Sequence, residues 1–203
     1  MKKPLNVLIL VMCNMAIAAA QTGSWTPEQI ASADLARDLD GWSSVEKDVV
    51  LHTNLVRMYP SEYAEIEVKP WDHPPRYSPL DKSSSSYRGL LRELRTSPPV
   101  QPLKPSQRLK ASASCFAFAQ GQTTQTGHDR SGTGCPDLWS GENCDYGMDT
   151  GKDIVMHLLV DEGVPSRGHR KNILDSSYKS IGVGHAPHKL YGTVTVQEFT
   201  MGN

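Results

Sequence analysis

The chain lacks the short signatures that announce many enzymes. It has no H-E-x-x-H helix, no G-x-S-x-G turn, no C-x-x-C pair and no phosphate-binding P-loop, so the zincin, nucleophile-elbow, dithiol and P-loop chemistries are not indicated. Gly182-Val183-Gly184 is too short for a dinucleotide fingerprint. Beyond the first twenty residues no run is long and apolar enough to cross a bilayer. There is no internal repeat, no basic stripe and no basic patch interleaved with aromatics, so nucleic acid is not an expected partner.

What is present begins with an export signature. Lys2 and Lys3 precede an apolar run from Leu5 to Ala19, and Ala18-Ala19-Ala20 supplies small residues for cleavage. This reads as a signal peptide over residues 1–20, cut before Gln21. The run is short for a membrane anchor, and Met12 stands before Cys13 where a lipoprotein would carry a small residue. The expected location is therefore secreted or extracytoplasmic, with no membrane span left after cleavage. The formal net charge of -1 becomes more acidic once the two lysines are removed.

Export fixes the redox setting of the remaining cysteines, Cys115, Cys135 and Cys144. Cys135 and Cys144 bracket a loop containing Pro and Gly and are the expected disulfide, with Cys115 a buried free thiol in an Ala/Phe-rich segment. Pairing of Cys115 with either of the others stays open. Its apolar helix argues against Cys115 as an activated nucleophile.

With 203 residues the chain suggests one domain, or one domain with an insertion. Residues 21–42 read as a loosely held arm and 43–203 as a single domain. Ser43 with Glu46 forms a capping box, Val45, Val49, Val56 and Tyr59 recur at helical spacing, and Pro60 ends the run. Residues 66–86 are rich in Pro and Ser and read as a surface loop. Tyr87 to Arg95 suggests a short amphipathic helix. Ser106 opens another, buried through Leu109, Ala113, Phe116 and Ala117, with small residues for close packing; Thr150 with Asp153 opens a third. Ser180–Gly184 and Leu190–Thr200 read as a hairpin joined through residues 185–189. Helices followed by a hairpin, without a βαβ rhythm, predict an α+β domain.

Chemistry concentrates in three segments. They are Gly127-His128, Gly141-Glu142-Asn143 and the stretch Gly168-His169-Arg170-Lys171-Asn172-Ile173-Leu174. Each sets an imidazole or carboxylate beside a glycine, and two histidines with a carboxylate suit a metal or acid–base site. The remaining histidines, His52, His73, His157, His185 and His188, lack partners at ligand spacing and read as solvated.

The order and wording of those segments resemble the CAP family of cysteine-rich secretory, antigen 5 and pathogenesis-related class 1 proteins, and most closely its bacterial SCP-domain members. The likeness covers roughly residues 45–200. It implies a three-layer α-β-α sandwich with a mainly antiparallel sheet and a cavity holding the paired histidines His128 and His169. It also implies that Glu142 is one cavity acid and that a second lies just before Gly163. There Glu162 is the chosen candidate and Asp161 the alternative. Asn54 and Arg57 match the family's first-helix pattern and are expected to bond a loop; Arg167 and Arg170 are expected to pair with nearby carboxylates. The resulting expectation is a non-catalytic binding module whose cavity holds zinc or another divalent ion. Its partner would be unknown in detail, with a lipid, sterol or envelope component suggested by the family. The alternative is a metal-dependent, protease-like hydrolase using the same cavity.

Overall fold

The computed structural model describes residues 23–202, so the expected signal segment lies outside the described residues. Helix α1 (Pro27–Ala33) starts at a capping box between Thr26 and Gln29. Ala33, Ala36 and Trp42 are buried, and Trp25 packs 6.1 Å and 6.0 Å from the rings of Tyr59 and Tyr63. The N-terminal segment is therefore docked rather than loose. Its mean composition is polar, but Trp25, Ile30, Ala33, Ala36 and Trp42 pack onto the core, while Leu35 and Leu39 stay exposed.

Helix α2 (Ser44–Met58) carries the expected Ser43–Glu46 box. Pro60 ends α2 and sits at the first position of α3 (Pro60–Tyr63), which runs on into a π-helical turn, Ala64–Val68. The Pro/Ser-rich segment that follows is anchored more firmly than its composition suggests. Trp71 and Leu80 are buried, Trp71 Nε1 donates to Asp153 at 2.7 Å, and Tyr77 Oη donates to the Gly147 carbonyl at 2.8 Å. Helix α4 (Ser85–Thr96) buries Tyr87, Leu90 and Leu94.

A short strand β1 (Lys104–Pro105) leads into α5 (Gln107–Gly121), N-capped by Ser106. Then come β2 (Gly141–Tyr146), α6 (Gly151–Val160, capped by Thr150) and α7 (Gly168–Leu174). The chain closes with β3 (Ser180–His188) and β4 (Gly192–Thr200). The hairpin forms as expected, but β3 continues through residues 185–188, because each pairs across to β4 and the reversal falls after His188.

The sheet order is β1-β3-β4-β2, with β1 parallel to β3 and the other pairs antiparallel. One face buries Ile181, Val183 and Phe199 against Val49, Ile154 and Ile173 of the helices. The other buries Val194, Val196 and Cys144 against Ala113, Phe116 and Ala117 of α5. This is a three-layer α-β-α arrangement, with α5 alone on its side of the sheet among the described residues. Gly182 and Gly184 make the approach of α5 possible. A Cβ on Gly182 would lie 2.2 Å from the Leu109 carbonyl carbon, and one on Gly184 would lie 2.4 Å from that of Ala113.

Two buried polar side chains fasten the far layer. Asn54 donates to the carbonyls of Ala33 and Leu103 at 3.0 and 3.2 Å and accepts from the Leu103 N–H at 2.8 Å. Arg57, 1% exposed, donates to the carbonyls of Gln101, Ile173, Asp175 and Tyr178 at 3.0, 2.7, 2.9 and 3.4 Å. Both do the helix-to-loop bonding that their first-helix position suggested.

Candidate functional site

Strand β2 lies at the sheet edge and feeds both faces, since successive side chains on a strand alternate. Glu142 and Cys144 turn toward the α5 side, and Asn143 and Asp145 toward α6 and α7. Asn143 fixes the edge, donating to the His169 carbonyl at 3.2 Å and to Gln197 Oε1 at 3.1 Å. From α7, Asn172 donates to the Glu142 carbonyl at 3.2 Å and to Asn143 Oδ1 at 2.9 Å.

The loop between α5 and β2 brings in His128 and Arg130 and is tied down by a disulfide. That bond joins Cys115 to Cys135, with Cα atoms 5.6 Å apart, and leaves Cys144 as a buried free thiol. The expected Cys135–Cys144 pairing is thus corrected, as is the reading of Cys115 as a free thiol. Cys144 is held by the pleat of β2 inside the apolar cluster, whereas the loop folds back over α5 and sets Cys135 beside Cys115. Constraining a loop of this length removes unfolded-state freedom worth about 3 kcal/mol. Gln120 Nε2 donating to the Gly127 carbonyl at 2.6 Å and Gly127 N donating to Tyr146 Oη at 2.8 Å hold the start of the same loop.

His128 Nδ1 lies 2.8 Å from Glu142 Oε1. The other oxygen of Glu142 takes Arg130, whose guanidinium also reaches Glu198 Oε1 at 2.5 Å and stacks 4.2 Å above the Phe116 ring. Sequence reasoning missed Glu198, which comes from β4 and has no motif around it. Glu142 and Glu198 are both sealed from solvent, and one arginine serves both. Burial, helped by the Glu142 charge, pushes the Glu198 carboxyl up to about 7 against the pull of Ser112 and Arg130.

The sign of the pH effect follows. With the folded value above the ordinary 4.5, the contribution of Glu198 to stability is complete below about 4.5 and is lost as pH rises to about 7. Melting curves of the wild type and of Glu198→Gln across pH 4 to 8 should diverge over that interval, the variant gaining relative stability as pH rises. Parallel curves would show that Glu198 ionises normally.

His169 Nδ1 lies 2.7 Å from Asp161 Oδ1, and the other oxygen of Asp161 accepts from the backbone N–H groups of His169 and Arg170 at 3.0 and 3.4 Å. The acid beside His169 is therefore Asp161, and the choice of Glu162 is corrected. Asp161 ends α6 in the left-handed conformation (φ 53°), buried against the start of α7, while Glu162 is exposed and only borders the cavity. Arg170 is buried and donates to the carbonyls of Leu159, Ser86 and Val160 and to Glu93.

A third imidazole joins the site. His157 on α6 has Nδ1 2.5 Å from Asp145 Oδ1. Burial lowers its basicity, but the hydrogen bond and charge of Asp145, with Asp161 and Glu162, outweigh that and raise it. The solvated reading of His157 is corrected, because its partner is supplied by a strand and not by its own helix. His188 is likewise buried, bonded to the Gln125 carbonyl at 3.1 Å, and His185 lies 2.8 Å from Thr195 Oγ1, with its basicity lowered by burial. His73 lies 2.8 Å from the Ser78 carbonyl, and His52, its basicity also lowered by burial, lies 3.2 Å from Tyr63 Oη.

His128, His157 and His169 border one cavity of about 400 Å³, together with Cys144, Asp145 and Asp161. Burial and the Glu142 charge push the Cys144 thiol well above its usual range, so it is protonated at neutral pH. Cys115, locked in the disulfide, is no nucleophile. Among the described residues no helix is long and apolar enough to cross a membrane.

The arrangement of paired histidines and buried acids in a three-layer α+β domain defines a class. The model of the CAP family, described as the cysteine-rich secretory protein family, matches residues 89–199, and the chain belongs to that family. Among solved structures the chain is similar to an extracellular protein containing an SCP domain from Bacillus anthracis str. Ames, at 16% identity and a TM-score of 0.44. The match covers 88% of this chain and 44% of that one, so the chain spans less than half the length of that relative. A search of curated proteins finds no match.

Proposed function

We propose that this chain is an exported, non-catalytic binding module whose cavity holds a divalent metal ion through His128 and His169, with Glu142 and Asp161 as the supporting acids. One observation carries this reading: both imidazoles are hydrogen-bonded to buried carboxylates and border the same cavity. A carboxylate on Nδ1 fixes the ring of His169 and leaves Nε2 as its free nitrogen, the arrangement that prepares an imidazole for an ion. A bound ion would supply positive charge in a cavity walled by carboxylates. Export is supported by the Cys115–Cys135 disulfide, which favours an oxidising compartment. The partner is proposed to be a lipid, sterol or envelope component, on the likeness to the family alone.

The test is zinc titration of the purified protein by calorimetry and metal analysis. Wild type should bind, and the His128→Ala/His169→Ala double variant should lose affinity by about 100-fold or more. Retained affinity places the ion elsewhere. Protease and esterase panels should show no turnover dependent on the cavity; activity that disappears in Glu142→Gln would overturn the non-catalytic part.

A further inference from the structure

Cys144 is the residue of the site that neither the paired histidines nor the disulfide uses. Its Sγ lies 3.7 Å from His128 Nδ1 and 3.9 Å from Glu142 Oε1, and those two atoms are 2.8 Å apart. Among the described residues these three form the His/Cys/Asp/Glu group whose ligand-capable atoms all lie within 4.8 Å of one another. Around a tetrahedral zinc ion, bonds of about 2.0–2.3 Å set such atoms roughly 3.4–3.6 Å apart. The two sulfur edges need to close by only a few tenths of an ångström, and the nitrogen–oxygen edge opens by about 0.6 Å as an ion replaces the proton between them. No backbone rearrangement is needed for changes of that size.

Resting on the metal-binding reading above, we propose that Cys144 is a thiolate ligand of the cavity ion, completing a nitrogen, oxygen and sulfur corner with His128 and Glu142. On binding, the thiol proton leaves to solvent and the imidazole proton moves from Nδ1 to Nε2, so the sulfur and Nδ1 each present a lone pair. As it stands the thiol makes only long contacts, 3.5 Å to the Gly127 carbonyl besides those to His128 and Glu142, and otherwise packs among Ala113, Phe116 and Val196. The consequence is selectivity. A thiolate and an imidazole suit zinc, cobalt or cadmium, and suit poorly the oxygen-seeking calcium and magnesium. The surrounding chain is poised for this: β2 fixes Glu142 and Cys144 on one face, and the disulfide holds the loop that presents His128.

Cobalt(II) titration of the purified chain, with the Cys115–Cys135 bond intact, tests the proposal. A sulfur-to-cobalt charge-transfer band in the near ultraviolet should grow with the visible bands of a tetrahedral ion, zinc should displace both, and calcium or magnesium should displace neither. Cys144→Ser should abolish the charge-transfer band and weaken binding by more than about 100-fold, above the roughly 10–100-fold that loss of an outer-sphere partner brings. Cobalt bound by wild type without the sulfur band overturns the proposal, whatever happens to the variants. So does unchanged affinity in a Cys144→Ala variant shown by circular dichroism to be folded. If wild type binds no ion at all, the broader reading falls too. If His128→Ala/His169→Ala loses the ion while Cys144→Ala keeps it, only the sulfur assignment falls.

Discussion

Gly184→Ala should melt about 10 °C below the wild type, and Gly184→Val should yield little folded protein. A Cβ at this position would sit 2.4 Å from Ala113 C, Ala113 O and Ser114 N. These are backbone atoms of α5, which cannot rotate aside as a side chain can. The helix must therefore lift from β3, opening the packing of Phe116, Ala117 and Val196. Ordinary overpacking costs about 1–3 kcal/mol, and a backbone clash belongs at the top of that range or above it. At about 2–4 °C per kcal/mol for a domain of this size, a loss of some 10 °C follows. The conformation at Gly184 is not left-handed, so the effect is one of space and not of backbone strain. An alanine variant melting within about 2 °C of the wild type would refute the close approach.

Arg57→Met should cost about 3–5 kcal/mol in urea unfolding. The side chain is buried, and its guanidinium is the common donor to four carbonyls from three stretches of chain: Gln101, the end of α7 with Asp175, and Tyr178. Burial lowers its pKa to about 10, so it stays charged at neutral pH. Methionine fills most of the space but leaves buried oxygens without a donor. Arg57→Lys should recover only a small part, because one ammonium cannot reach carbonyls spread around a planar fork. A loss below about 1 kcal/mol in Arg57→Met would mean that water replaces the arginine without penalty.

What could be read from the sequence was local. The Ser43–Glu46 box, the caps at Ser106 and Thr150 and the alternation in β4 are decided within a few residues, and each appears where its pattern places it. The small residues of α5 foretell close packing, although Gly182 and Gly184, their counterparts on β3, read from sequence only as a fragment of a nucleotide motif. The resemblance supplied the family and the positions of His128, Glu142 and His169; the two histidines border one cavity, and Glu142 lies behind His128, bonded to it. The rest was hidden because it joins distant segments. Asp145 meets His157 only once α6 lies along β2, Glu198 meets Arg130 across the sheet, and Cys135 meets Cys115 through a loop that doubles back. The choice between Asp161 and Glu162 turned on a single left-handed residue at the end of α6, which adjacent acidic positions do not reveal.

Strand β2 also dictates where the chain can tolerate insertion or deletion. Its pairing with β4 runs residue by residue from Gly141 opposite Phe199 to Tyr146 opposite Val194. A slip by one residue would send Asn143 and Asp145 to the α5 side and Glu142 and Cys144 to the α6 side, parting His128 from Glu142 and His157 from Asp145 at once. The loop before β2 has no such periodicity, and its disulfide fixes only one point along it. Changes of length are therefore expected to accumulate between Cys135 and Ser140 and to be absent between Gly141 and Tyr146.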